Sequence, residues 1–577
     1  MKRRFLLPFV ALILAVAIFL SYSAAIKDDN ETYSVPEISQ MDDFHLAYSM
    51  QKEFYGNLTA EYESDIDGEK IYGGIVSHHL LAAKEIAGFF AALKAEPPKT
   101  IVIVGPNHFN AGDGDILVSD DPYKTPWGIV YPEKEYIGEL LAKNVVLNDE
   151  TPFSNEHSIS SLVSFVKYYL PDTKIVPIII KRNTTKERVE ELAVTLDEIL
   201  PEDAVVVSSV DFSHHLNANA ADFHDEKSIA SIKSFDYAGL FKSEIDSPLS
   251  VYTLLRFLEL RSAQKMVYRN INSADIMRNG LSPDVTSYLF AHFLVGDIQK
   301  ESRISVLNLG EVAARSAEAN TFEKIRGVEG NFLRGSDFIS VSLEDSGTCS
   351  DLSSDLFSLM AKNGINMADF VGSRRGGCGE KAILAMKKSV SGGNIVDFGA
   401  DALENSYVQK EIDGSNIAFI GIDMVSDANR LKQYFAIMKE LKKSSDYLVA
   451  YIHWGDEYRD NVSVSQKNIA HSLVESGADL VIGHHSSAIQ PVEVYKNKAI
   501  FYALGDLVPQ IDEADAAGGL GVGTIFSQES LGFYLFPYEI KDYEPILSEV
   551  PDSLDFCDRY LSGIGDRSGC YFKLDTE

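Results

Sequence analysis

Cysteine is scarce in this chain of 577 residues: there are four, Cys349, Cys378, Cys557 and Cys570, all in the second half. None stands in the CxxC pairs of a thiolate zinc site, which argues against that class. No cysteine follows the N-terminal apolar run, so bacterial lipoprotein anchoring has no support. Basic residues are also in short supply, 52 Lys and Arg against 85 Asp and Glu, for a formal net charge of −33. Such a surface repels phosphate backbones, and nucleic-acid binding needs a basic face, so no nucleic-acid partner is expected. Solubility is the plain reading of the acidity. Repeats and collagen-like composition are absent, and 45% hydrophobic with 24% charged residues is ordinary for a folded protein.

Long apolar runs are missing with one exception. Phe5–Leu20 carries no charge, follows Lys2, Arg3 and Arg4, and precedes the small residues Ser21, Ser23, Ala24 and Ala25. This pattern reads as a secretory signal or a signal anchor. The run is slightly short for a spanning helix, which needs about 20 residues, and its basic flank keeps the N-terminus in the cytoplasm. The remainder is therefore expected to be extracytoplasmic, membrane-anchored through this segment or secreted after cleavage. In that compartment an even cysteine count permits disulfides. Of the three pairings, Cys349 with Cys378 and Cys557 with Cys570 is the one expected.

A single core rarely grows past about 250–300 residues, so at least two domains are expected. The pattern divides into a signal or anchor (1–26), an acidic linker (27–66) with a short helix near 43–55, domains over 67–300 and 301–545, and an acidic tail (546–577) that packs back on the second domain. In the first domain Lys99–Val104, Lys174–Ile180 and Ala204–Ser209 are β-branched runs bounded by turn residues, alternating with helical stretches such as Thr185–Leu200. Ile304–Leu309, Phe338–Leu343, Ile417–Ile422, Tyr447–Ile452, Leu480–Ile482 and Lys498–Leu504 repeat the pattern in the second. Both read as α/β domains with a mainly parallel or mixed sheet flanked by helices. Ligands bind beyond the carboxyl ends of strands in such sheets.

Those ends carry chemistry. In the first domain His78, His108, Glu156-His157, Asp211, His214 and His215 follow strands, and imidazole with carboxylate is a divalent-metal donor set. Gly105-Pro106-Asn107-His108, Thr125-Pro126-Trp127-Gly128, Asn155-Glu156-His157-Ser158, Ser208 to His214, Asn272-Ser273-Ala274-Asp275 and Ser287-Tyr288 occur in the order of the MEMO family, which this region resembles over about 70–298. Relatives of this kind include protein B of the AmmeMemoRadiSam gene set. The resemblance implies a fold like the class III extradiol dioxygenases and a metal cleft with iron as the leading metal. It puts His78 and His108 at the metal, with Asp275 as the nearest third ligand where some relatives have Cys. His157, Asp211 and His214 become candidate acid, base or positioning groups. Ser77 departs from the usual Pro.

In the second domain the strand ends carry Glu311, Glu344, His453, Glu457, His484 and His485, the residue types of a dinuclear hydrolase. His453-Trp454-Gly455-Asp456-Glu457, Gly477 to His485, and Phe501 to Asp506 resemble the CapA family of poly-γ-glutamate capsule synthesis, which is metallophosphatase-like. The resemblance spans about 302–508 and implies manganese or another divalent metal on Glu311, Glu344, His453, His484 and His485. The departures imply degeneracy. Glu311 replaces an Asp, the Asn-Asn-His and its downstream Asp are missing, and Arg374-Arg375 stand in that region as a candidate anion-binding pair. The expectation is an exported protein with one candidate metal cleft and one binding module. It would act on a small-molecule substrate or in the binding or synthesis of cell-envelope polymer. An active metallophosphatase-like hydrolase or a non-haem iron oxygenase is the alternative.

Overall fold

The β-branched runs become strands buried on both faces. In the computed structural model, which describes residues 44–56, 58, 66, 68–313, 321–326, 332–344, 354–371, 395–399, 403–509 and 518–576, the first half contributes β1 (His45–Leu46), β2 (Ile71–Val76), β3 (Thr100–Pro106), β4 (Ile116–Val118), β5 (Tyr123–Thr125), β6 (Gly128–Val130), β7 (Leu147–Asn148), β8 (Lys174–Ile180), β9 (Val205–Ser209), β10 (Lys265–Asn272) and β11 (Ser287–Leu294). Eight of these form one sheet in the order β10-β11-β2-β9-β3-β8-β4-β7. Its centre, β2-β9-β3-β8, is parallel. The hydrophobic runs are continuous because helices cover both faces. Lys186–Ile199 and Pro248–Leu260 pack Leu192, Leu196, Leu254 and Leu258 against Val102, Val104 and Val176. Ala83–Ala92 packs Ile86, Phe89 and Phe90 against Ile101, Ile103 and Ile175 on the other side.

The linker expectation needs correcting. β1 pairs with β5, His45 and Tyr55 are buried, and the helix expected near 43–55 is the single turn Lys52–Gly56. The described part of that segment thus packs as part of the first half. Phe5–Leu20 lies outside the described residues, and among the described residues no helix is long and apolar enough to cross a membrane.

The second half builds two sheets. β12 (Arg303–Ala313), β13 (Phe338–Glu344), β14 (Met367–Asp369), β15 (Val396–Phe398), β16 (Tyr407–Ile412), β17 (Ser415–Asp423), β18 (Tyr447–His453), β19 (Leu480–His484), β20 (Ile489–Tyr495), β21 (Lys498–Leu504), β22 (Asp506–Val508), β23 (Gly519–Ser527), β24 (Ser530–Lys541), β25 (Glu544–Leu547), β26 (Arg567–Ser568) and β27 (Tyr571–Asp575) follow in turn. One sheet runs β15-β14-β13-β12-β23-β24-β27-β26, with β22 on β12 and β25 on β24; the other runs β16-β17-β18-β19-β21-β20. They pack face to face through Ile304, Val306 and Phe338 against Phe419, Tyr451, Leu480 and Phe501. Helices Leu431–Ser444 and Val464–Glu475 cover the outer face of the smaller sheet. Residues expected as a tail are built into the larger sheet, where β27 pairs antiparallel with β24. Cys557 and Cys570 form a disulfide there; Cys349 and Cys378 lie outside the described residues.

One helix packs on both halves. Ala218–Lys233 opens on Asn217, whose side chain accepts from Ala220 N. Its Ile229 and Ile232 belong to the core of the first half, while Ala220, Ala221 and Phe223 pack with Leu307, Leu309 and Phe536 of the second. Lys227 of this helix is buried and meets Asp413 at 2.8 Å and Asp337 at 3.3 Å, both from the second half. Burial alone would lower the Lys227 pKa, but Asp337 and Asp413 outweigh it and raise it. From His45 onward the chain is accordingly one compact unit.

Removing one partner of a buried ion pair costs about 3–5 kcal/mol. Lys227→Ala is expected to lower unfolding free energy by that order in urea titrations; a loss under about 1 kcal/mol would contradict a desolvated pair. Because the folded pKa is raised, the contribution is complete below the ordinary lysine value of about 10.4 and fades only above it.

Candidate metal centre

Parallel pairing fixes where the polar residues emerge. Val76 is in register with Ser209, and Val104 with Ser208. β2, β9 and β3 therefore release Ser77-His78, Val210-Asp211 and Asn107-His108 at one edge of the sheet. Glu156 and His157 reach the same edge from the start of the short helix His157–Ser160, which follows β7. Gly105 makes room for that helix, since a Cβ there would lie 2.6 Å from Ser158 Oγ. Ser158 Oγ donates to Pro106 O, and Ser209 Oγ donates to Ser158 O.

The buried Glu156 carboxylate organises this edge. It caps the short helix His157–Ser160 by accepting from Ser158 N, accepts from His108 N at 2.8 Å, and meets His108 Nδ1 at 2.7 Å. The opposite ring nitrogen, His108 Nε2, then faces Asp246 Oδ2 at 3.7 Å. His78 is fixed in the same way. Its Nδ1 lies 3.3 Å from Ser209 Oγ, while Nε2 faces Asp211 Oδ2 and Asp246 Oδ2, each at 3.5 Å. Asp211 accepts from Ser77 Oγ, so the serine that replaces the usual Pro orients this carboxylate. His157 stacks on His108 with ring centroids 4.2 Å apart.

Asp246 was not legible as a site residue. It sits in the loop before Pro248–Leu260, held by a bond from its N to Asp211 O. Both of its carboxylate oxygens are buried and make no hydrogen bond among the described residues. Desolvated acceptors facing two imidazole nitrogens suit a cation between them. One donor atom each from His78, Asp211 and Asp246, and separately from His78, His108 and His157, fall within 4.8 Å of one another.

The Asp275 expectation is corrected. Asp275 is exposed, and with Asn272 it forms the capping box of Ser273–Met277, Asp275 N donating to Asn272 Oδ1 at 3.0 Å. Asp246, not Asp275, faces the His78 and His108 rings. His214 is half-buried near Asp246. Burial would raise the Asp246 pKa, but His108 chiefly, with smaller contributions from His78 and His214, holds it low. A further group, His45, Asp121 and Glu150, is tied internally, His45 Nε2 meeting Glu150 at 2.7 Å and Ser119 at 3.0 Å.

Electrostatics divide the histidines. Burial lowers the His108 pKa, but Asp246 and Glu156 overcome it and raise it to about 10. Burial raises that of Glu156, but its bonds to His108 bring it down to about 2. His157 is lowered to about 4 by burial and by the charges of His78 and His108. The metal-free site thus holds a protonated His108 beside a neutral, partly accessible His157. In NMR titrations of the metal-free chain, His108 is expected to stay protonated at pH 8 and His157 neutral at pH 6. Glu156→Gln should bring His108 back toward the ordinary value of about 6.5; an unmoved His108 would contradict the pairing.

In the second half Glu311 is in register with Ser342 and Asp506, and Ser342 with Asp369, whose Oδ1 accepts from Ser342 Oγ at 3.0 Å. Asp369 is itself fully buried, just ahead of the region where the family's Asn-Asn-His is missing. His453 Nδ1 lies 3.4 Å from Glu311 Oε1, and its ring lies 4.4 Å from that of His485. His484 is buried, its pKa lowered to about 3 by burial and then by His453. Among the described residues no three donors of this half converge as those of the first half do. Glu457 is exposed; the Glu344 side chain, Arg374 and Arg375 lie outside the described residues.

The model of the Memo-like protein family matches residues 46–251, and that of the bacterial capsule synthesis protein PGA_cap matches residues 376–510. A MEMO1 family protein of Pyrobaculum aerophilum is 29% identical over 230 residues, 38% of this chain and 80% of that protein. One of Sulfurisphaera tokodaii is 30% identical over 208 residues, 34% of this chain and 72% of that protein. The PGA biosynthesis protein CapA of Bacillus subtilis is 37% identical over 75 residues, 13% of this chain and 20% of that protein, so the likeness spans a fifth of CapA. With the strand-end histidines in place and these matches over its first half, the chain belongs to the MEMO1 family and carries a capsule-synthesis-type domain behind it.

Proposed function

We propose that the first half is a mononuclear divalent-metal centre acting on a small molecule, and that the second half binds anionic cell-envelope polymer rather than hydrolysing phosphate. The observation that carries the first part is Asp246, whose buried oxygens lack hydrogen bonds while facing His78 Nε2 and His108 Nε2. His78, Asp211 and Asp246 would hold the ion, with His108 Nε2 completing the nitrogen donors, and iron is the metal this mixed nitrogen and oxygen set suits first. A bound divalent ion supplies Lewis acidity and lowers the pKa of coordinated water.

The chain's own residues do the rest. Glu156 holds the His108 ring by Nδ1 and leaves Nε2 aimed at the site. Ligation requires a neutral imidazole, so His108 must lose a proton to bind, and uptake strengthens as pH rises. His157, neutral and partly accessible, is placed to take a proton from a substrate at the open side.

Binding in the second half is supported by the absence of a converged donor set among its described residues and by the replaced ligand positions. Export and tethering through Phe5–Leu20 fit an envelope role, since that run follows Lys2, Arg3 and Arg4. An active hydrolase remains the second reading, favoured by Asp369, buried in register beside Glu311.

After anaerobic reconstitution, elemental analysis is expected to find about one iron per full chain. His108→Ala and Asp246→Ala should each lower occupancy by more than half, with Asp275→Ala unchanged. No stoichiometric metal, or equal loss with Asp275→Ala, would contradict the centre. For the second half, no manganese-dependent turnover of bis-p-nitrophenyl phosphate is expected; turnover abolished by His453→Ala would overturn the binding reading.

A further inference from the structure

A cavity of about 590 Å³ lies between the halves, away from the metal centre. The first half supplies its floor, Asp222 and Asp225 from Ala218–Lys233 with Tyr268 and Asn270 of β10. The second half supplies the facing wall, Tyr534 of β24 and Tyr571 of β27. The size is that of a small-molecule site, about 300–1,000 Å³, and neither half encloses it alone.

Its chemistry is one-sided. Asp222 and Asp225 are three apart on a helix and share a face. Asp225 is 1% exposed, and its carboxylate accepts from Ser213 Oγ and Ser287 Oγ at 2.9 Å and from Asn270 Nδ2 at 2.9 Å. Orienting the Asn270 amide this way leaves Oδ1 buried with no hydrogen-bond partner among the described residues. Asp222, accessible from the cavity, receives only a 3.3 Å bond from Asn272 Nδ2. The floor is thus rich in acceptors and short of donors. The Tyr534 and Tyr571 rings, in register across β24 and β27, lie 4.6 Å apart at their centroids and both line the cavity. Arg303, the cationic side chain in this wall, is already held by Glu226 and Glu301. Carboxylates facing aromatic rings recognise organic cations through charge, N–H donation and cation–π attraction.

We propose that the interdomain cavity binds a small ligand through a primary ammonium group, seated on Asp222 in the pocket that Tyr534 and Tyr571 also line. Burial, then Asp225 and Asp275, raise the Asp222 pKa to about 7, with Asn272 opposing. Glu226, Arg303, Tyr534 and Tyr571 also border the group.

The test is calorimetry on the full chain with putrescine and with glucosamine, against butane-1,4-diol and N-acetylglucosamine as neutral counterparts. At least one ammonium probe is expected to bind once per chain and at least tenfold more tightly than its counterpart. The two arms separate an alkyl amine from an amino sugar. Asp222→Asn, close in shape and accessible from the cavity, should erase the preference with an unchanged melting temperature. Tyr571→Leu, which keeps the charges, should weaken binding several-fold. Absence of saturable binding, several equivalents on the acidic surface, or full binding by Asp222→Asn in a chain that melts normally would each overturn the proposal.

Discussion

Everything at the candidate metal centre depends on β9 lying parallel between β2 and β3. That pairing sets Val76 beside Ser209 and Val104 beside Ser208, so three chain segments separated widely in sequence leave the sheet at one edge. The imidazoles and carboxylates then need little further placement. Glu156 turns His108, Ser209 turns His78, and both rings direct Nε2 at Asp246. The cost is a desolvated carboxylate that makes no hydrogen bond among the described residues, which a structure tolerates when a cation completes it.

The second constraint is the helix Ala218–Lys233. It is amphipathic in an unusual sense, because each side meets a different half of the chain. A helix with two buried faces must carry its polar residues inside. Here they are used rather than diluted: Lys227 ties the halves together, and Asp222 and Asp225 line the cavity between them. The halves are thus one unit, although their sheets are separate.

Much of this was legible in the sequence. Lys174–Ile180 reads as a buried strand because no position in it is polar after the first, and it is one. His78, His108 and Asp211 could be picked out because they follow such strands directly. Asp246 could not. It precedes Ser247-Pro248, a helix-start signal, and nothing local distinguishes a carboxylate there from an ordinary cap. Asp275 misled for the mirror reason: the motif around it is real, but its carboxylate serves a capping box. The second half shows the same limit. Asp369 belongs with Glu311 only through the register of β12, β13 and β14, which spacing along the chain does not reveal. The packing of residues expected as linker and tail also depended on strand partners far away in sequence.

The most direct test of the centre is an anomalous diffraction map of crystals loaded anaerobically with iron. One peak is expected in the first half, among His78, His108, Asp211 and Asp246. A peak beside Asp275, or one only among Glu311, His453 and His484, would contradict it.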